Sequence, residues 1–398
     1  MIDMSKLKST EESRTFMLKG RPEMFEIYLV PLESLRYNLQ NGRIASYITE
    51  YEDTKGILPQ DYDILNDEVE KFIVESNERA FKKTKNNIKL FDQLEPAVVL
   101  STGVVVDGNR RFSALRQLHR EGNGAKFGYL KAAVIDEKNY TPKEIKTLEL
   151  NLQHARDVRV DYNPIERLVD IYRDLLRDEA QFTVEEYARE TDTTIKKINE
   201  EIEVAKLLVQ YLEFLNQPLK FHIARHQNLD GPLREVFKIL RSQKIDDYLK
   251  EDVRELLFAN ILTLNGDVTR KIRELKIVME DPNTVSEYLE EVEEVLESIN
   301  DYFQEEEVHR NIEKTNIVNI PEEAVRAISK TTEMKVEKKK LSKAQKQPIE
   351  AISKTLSTVE NVDIEAACKM EEADKDDFMN YISKIKNKIQ RIEDLMNA

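Results

Sequence analysis

The chain has 398 residues, 40% of them hydrophobic and 34% charged, with a formal net charge of -15. That length exceeds one ordinary domain, and ten glycines, no tryptophan and long Glu/Lys/Leu-rich stretches point to a mainly helical protein. No apolar run approaches the ~18 residues of a membrane span, and the acid excess argues against a surface that clings to nucleic acid everywhere, leaving only local basic patches. The amino terminus, MIDMSKLKSTEESRTF, lacks the apolar core of a secretory signal, and Cys368 is the single cysteine. The expected compartment is therefore the cytoplasm.

Residues 24–30, MFEIYLV, read as a short strand, followed by the Pro31-led turn PLESLRYN. Asn41 and Gly42 then supply a turn, with Arg43 just beyond it. Helical spacing from Asp67 to Lys83 puts Val69, Phe72, Ile73 and Ala80 on one side. LEPAVVLSTGVVVDGNRRFSALRQLHREG reads as strand, Ser-Thr-Gly turn, strand, Asp-Gly turn and a helix ending near Gly122. YLKAAVIDE adds a strand and closes a small mixed α/β unit near Glu137.

From Thr141 onward the pattern is helical. TPKEIKTLELNLQ has Thr141 as N-cap, Pro142 at the first helical position and Glu144 closing a capping box. After the loop HARDVRVDYN, Pro164 opens a helix through Leu176. FTVEEYARETDTTIKKINEEIEVAKLLVQYLEFL gives two helices joined by a tight turn and a third running on. Further helices fall in GPLREVFKILRSQ, IDDYLKEDVRELLFANILTL, DVTRKIRELKIVME and VSEYLEEVEEVLESINDYFQ. Residues 330–348 are polar and lysine-rich, as in an exposed linker or a flexible basic arm. Beyond Asp374, Phe378, Ile382, Ile385, Ile389, Ile392 and Leu395 recur at helical spacing, the pattern of a docked or self-associating helix.

The stretch VVVDGNRRFSALRQL places Arg110 and Arg111 at a helix start. A helix amino terminus carries unpaired N–H groups and partial positive charge, so it attracts anions. Gly108 lets the backbone approach a phosphate closely, and arginines add planar charged forks. The competing reading caps the helix with Asp107 and leaves the arginines solvated or paired with carboxylates.

These residues also resemble the second box of the ParB/sulfiredoxin superfamily. VPLESLRYNLQNGRI resembles its first box, LELNLQHARDVRVDYNPIERL its third, and TVEEYARETDTTIKKI the helix-turn-helix that follows in ParB proteins. The four elements occur in the family's order over roughly residues 24 to 215; the rest of the chain has no counterpart in the resemblance. It implies a nucleoside triphosphate site, for CTP or ATP, with Arg43, Gly108, Asn109, Arg110, Arg111 and Asn151 as contacts. In the third box the family's Glu-Asn pair holds a divalent ion such as Mg2+; here Asn151 matches, but Leu150 occupies the carboxylate position. Sulfiredoxin activity is set aside, because its catalytic cysteine is missing from the DGNRR turn.

In the helix-turn-helix, Thr194, Lys196 and Lys197 are the candidate DNA contacts, although Glu200, Glu201 and Glu203 follow them. A purely structural use of the helix pair is the rival. His222 and His226 stand four apart, a spacing open to a shared helix face or to ordinary packing. The expected architecture is α+β, with a ParB/sulfiredoxin-like mixed-sheet domain at 1–140, a helix-turn-helix domain at 141–220 and a helical domain at 221–329. A basic linker at 330–348 and a helical segment at 349–398, the homodimer contact, complete it. The expected function is nucleotide-dependent action on DNA, as in partitioning or a mobile-element transaction. A CTPase or other NTPase, nuclease or kinase on this fold, or a nucleotide-gated protein adaptor, are the rivals.

Overall fold

The computed structural model describes residues 1–154 and 163–397. The loop expected around HARDVRVDYN therefore falls largely outside the described residues. By contact, Met1–Lys335 form one unit and Val336–Ala398 a second.

The first unit begins with a hairpin of β1 (Lys8–Leu18) and β2 (Arg21–Pro31), then β3 (Arg36–Tyr37) and three helices, α1 (Ala45–Lys55), α2 (Tyr62–Ser76) and α3 (Glu78–Phe91). Next come β4 (Ala97–Leu100), β5 (Val104–Asp107), α4 (Asn109–Arg120) and β6 (Tyr129–Ile135). The strands form a mixed sheet in the order β1-β2-β6-β4-β5-β3. β4 runs parallel to β6 and antiparallel to β5, and β5 is parallel to β3. The class is thus α+β, as the pattern predicts.

Helices cover both sheet faces. Phe72 from α2, Phe81 from α3 and Phe112, Leu115 and Leu118 from α4 pack into one core. On the other face Ile27, Val98 and Ile135 meet Leu148 of α5 (Pro142–His154). This two-sided burial explains why β4 is apolar at every position and buried throughout.

The helical body continues through α6 (Pro164–Ile171), which runs into a π turn at Tyr172–Leu176, then α7 (Val184–Glu190), α8 (Ile195–Phe214), α9 (Phe221–His226), α10 (Asp230–Leu240) and α11 (Lys250–Thr263). It ends with α12 (Val268–Met279), α13 (Pro282–Gln304), α14 (Glu306–Thr315) and the first part of α15 (Glu322–Glu360); the second unit holds the rest of α15, α16 (Ile364–Cys368) and α17 (Glu372–Met396). Among the described residues no helix is long and apolar enough to cross a membrane.

Three local expectations change. The single helix read from Asp67 to Lys83 is two, because Asn77 leaves helical geometry and its side chain caps α3 by accepting from Ala80 N–H at 2.9 Å. The polar edge strand β1 went unread, since its residues alternate too weakly to show a buried face. Residues 330–348 are not an irregular linker but lie within α15, with Pro348 inside the helix. Lys, Glu, Ala, Gln and Met are strong helix formers, so charge alone does not unwind such a stretch.

Candidate functional site: a pocket at the start of α4

β5 delivers the chain to Gly108, whose φ of 105° lies in the left-handed region. A Cβ there would stand 2.7 Å from Ala97 Cβ and 3.0 Å from the Arg111 guanidinium, so only glycine fits. α4 then begins at Asn109 with no side-chain cap, and its first intrahelical bond runs from Phe112 N–H to Gly108 O at 2.9 Å. Gly108 at the N-cap position thus supplies no side-chain oxygen to the helix end.

The first turn is braced from below. Ser113 donates to Asn109 O at 3.1 Å, Tyr37 and Ser113 share a hydroxyl hydrogen bond of 2.7 Å, and the Tyr37 and Phe112 rings lie 4.7 Å apart. Burial pushes the Tyr37 phenol far above its ordinary range, so it stays protonated. Farther along, Arg116 donates to Glu70 at 2.8 Å and pairs with Asp67, tying α4 to α2.

A pocket of about 400 Å³ opens beside this turn, a size suited to a small organic ligand. Arg43, Gly108, Asn109, Arg110 and Arg111, the residues singled out in the sequence, all line it. The opposite wall combines Thr84, Asn87, Ile88 and Phe91 from α3 with Gln153 from α5. Asn109 is only 6% exposed, and its Oδ1 has no hydrogen-bond partner. An unsatisfied buried amide oxygen costs roughly 1–3 kcal/mol, which a ligand donor recovers.

Arg111 is not simply presented to the pocket. It pairs with Asp107 at 2.7 Å and donates to Glu95 O at 3.2 Å, which leaves its side chain 11% exposed. The Asp107 carboxylate thus serves Arg111. The other acids on the lining also have basic partners, Glu95 with Arg14 at 2.7 Å and Asp92 with Lys126 at 3.7 Å.

The third-box helix departs from expectation. Asn151 is half-buried on α5 and is not among the lining residues; Leu152 and Gln153 are. Leu150 is buried in the core. Glu149 is buried too, accepting from Gln153 at 3.1 Å and from Lys146 at 3.4 Å. Burial raises the Glu149 carboxyl above its ordinary value, against the opposing pull of Lys146. These donors do not make a magnesium site: one carboxylate is engaged, its neighbour is a leucine, and the amide lies off the pocket. Among the described residues no cluster of three His, Cys, Asp or Glu side chains can hold a metal ion.

On the α7–α8 pair, Thr194 caps α8 by accepting from Lys197 N–H at 3.3 Å, and Lys196 and Lys197 are exposed. The acids that follow are engaged: Glu200 with Arg241 at 3.0 Å, Glu201 with Arg234 at 3.0 Å and Glu203 with Lys206 at 2.8 Å. His222 and His226 share α9 but meet different side chains. His226 meets Glu50 at 2.9 Å, while buried His222 lies 3.3 Å from Thr49 and is pushed down to about 4 chiefly by burial.

Sequence reasoning missed a polar seam between α1 and the helical body. Ser46 N–H donates to Glu166 at 3.1 Å, its hydroxyl also bonds Glu166, and Arg225 donates to that hydroxyl at 2.6 Å. Arg225 also pairs with Glu50 and lies 3.6 Å from the Tyr47 ring centre. Its members come from positions far apart in the chain, so no local motif announces it.

No family model matches the chain, and no curated protein matches it. Among solved structures it is similar to a Pnob8-like ParB-N domain in its C2221 crystal form, at 13% identity over 73% of this chain and 100% of that chain, with a TM-score of 0.34. Similarity that low shows no shared function, and the α+β class rests on the sheet itself.

Proposed function

We propose that the pocket binds a nucleoside triphosphate, CTP or ATP, in a ParB-like protein that acts on DNA. The observation that carries this reading is the buried Asn109 amide oxygen, which has no hydrogen-bond partner, on the wall of a pocket at the start of α4, where the N-cap residue is Gly108. Phosphate oxygens suit the helix end, and Arg43 and Arg110 bring permanent positive charge to the same wall. Arg111 acts one step back, holding Asp107 in place at the close of β5. The ribose or base supplies the donor that Asn109 lacks.

The reading is binding without an assigned hydrolytic step, because the donors on α5 do not fit a resident divalent ion. DNA contact is assigned to the exposed start of α8, at Thr194, Lys196 and Lys197. The ion pairs of Glu200 and Glu201 offset their charge behind that tip.

Calorimetry of the full chain with CTP, ATP and GTP tests the pocket. One triphosphate is expected to bind, and Arg110→Ala to weaken it roughly 10- to 100-fold, the worth of one charge-assisted hydrogen bond. Heat from none of the three sinks the nucleotide reading. In a parallel titration with duplex DNA, the double variant Lys196→Ala/Lys197→Ala should bind more weakly and with a shallower salt dependence. Unchanged DNA affinity removes α8 from the interface.

A further inference from the structure

α17 carries an apolar seam that no other part of the chain buries. Phe378, Ile382, Ile385, Ile389, Ile392 and Met396 follow one another in steps of four, three, four, three and four. Phe378, Ile385 and Ile392, and likewise Ile382, Ile389 and Met396, recur every seven residues, the repeat of side chains that interlock with another helix in a supercoil. No residue of α17 is buried, and Ile385, Ile389 and Ile392 are 40%, 42% and 38% exposed. We propose that α17 is one strand of a parallel, three-stranded coiled coil formed by copies of this chain.

The seam itself selects the occupant. Charges flanking it favour a parallel, in-register partner: Lys388 precedes Ile389 and Glu393 follows Ile392, so the lysine of one copy meets the glutamate of the next. An antiparallel pairing centred on the same seam sets Lys386 against Lys386 and Lys388 against Lys388, which is repulsive. The strand number follows from side-chain shape. Isoleucine occupies both alternating seam positions, at 382 and 389 and at 385 and 392, a combination that favours more than two strands. Met379, Tyr381 and Leu395, which flank the seam at 58%, 64% and 71% exposure, widen the apolar surface. Two strands leave much of that width in water, and three cover it. This assembly is independent of what the pocket binds.

Sedimentation of the full chain from low to high micromolar concentration tests the assembly. The expected species has three times the 46.6 kDa chain mass. The double variant Ile385→Asn/Ile389→Asn is expected to sediment as a single chain, whereas Asn387→Lys, on the opposite face, keeps the assembled mass. Because no α17 residue is buried, thermal unfolding of the variants serves as the folding control. A single-chain mass at every concentration overturns the proposal, a twofold mass overturns the strand number, and an assembly indifferent to the double variant places the interface elsewhere. Orientation is read separately with Ile382→Cys in a Cys368→Ser background. Air oxidation should give a covalent two-chain band on a non-reducing gel, and its absence rules out the parallel register.

Discussion

Arg225→Ala is expected to lower the unfolding free energy by about 3 kcal/mol in a urea titration, the low end for breaking a buried ion pair. The Arg225 side chain is 9% exposed and serves three partners on α1: the Ser46 hydroxyl, the Glu50 carboxylate and the Tyr47 ring. Removing it takes from Glu50 its permanently charged partner and from the Ser46 hydroxyl, which also bonds Glu166, a donor. The partial exposure of Glu50 keeps the loss from being larger. His226→Ala removes a second Glu50 partner, but that histidine is 43% exposed, so a change within about 1 kcal/mol is expected. Equal effects from the two variants show that burial of Arg225 adds nothing to its contacts with α1.

The second large effect concerns pH. Burial is the main cause that pushes Glu166 up from 4.5 to about 7, opposed by its hydrogen bonds from Ser46 and by Arg225. The folded state therefore holds this proton more tightly than the unfolded chain. The resulting stabilisation is complete below pH 4.5 and is lost as pH rises to about 7. A shift of that size corresponds to roughly 3 kcal/mol at 1.36 kcal/mol per unit. Asp174, raised to about 6, slopes in the same direction, so the wild-type curve contains both. Glu166→Gln isolates the first: the difference between variant and wild-type stability is expected to change by kilocalories across this window. A pH-independent difference means that Glu166 is ionised throughout.

Much of the sheet was legible because β2, β4, β5 and β6 are apolar runs bounded by turn residues, and α4 follows an Asp-Gly turn. The same turn marked Gly108, Asn109, Arg110 and Arg111, and the Asn-Gly turn marked Arg43, all of which line one pocket. What escaped notice depends on packing between distant segments. The α3 wall, with Thr84, Asn87 and Phe91, faces the arginine turn only after α2 and α3 fold over the sheet. Asn151 was placed by position in a resembling motif, yet on α5 it is Leu152 and Gln153 that reach the pocket. For Arg111 the Asp107 pairing matches the rival reading, in which the arginines pair with carboxylates. The lysines of 330–348 signalled neither the backbone conformation nor the burial of Lys335, which pairs with Glu287 and Glu291 of α13.

Hydrogen exchange at the first turn of α4, with and without the triphosphate that gives calorimetric heat, tests the location of the site most directly. The amides of residues 109–111 precede the first intrahelical bond of α4, at Phe112, and should exchange rapidly in the free protein. Ligand binding is expected to slow them roughly tenfold or more, while the start of α8 is unchanged. Triphosphate binding that leaves these amides exchanging as fast as before contradicts the account.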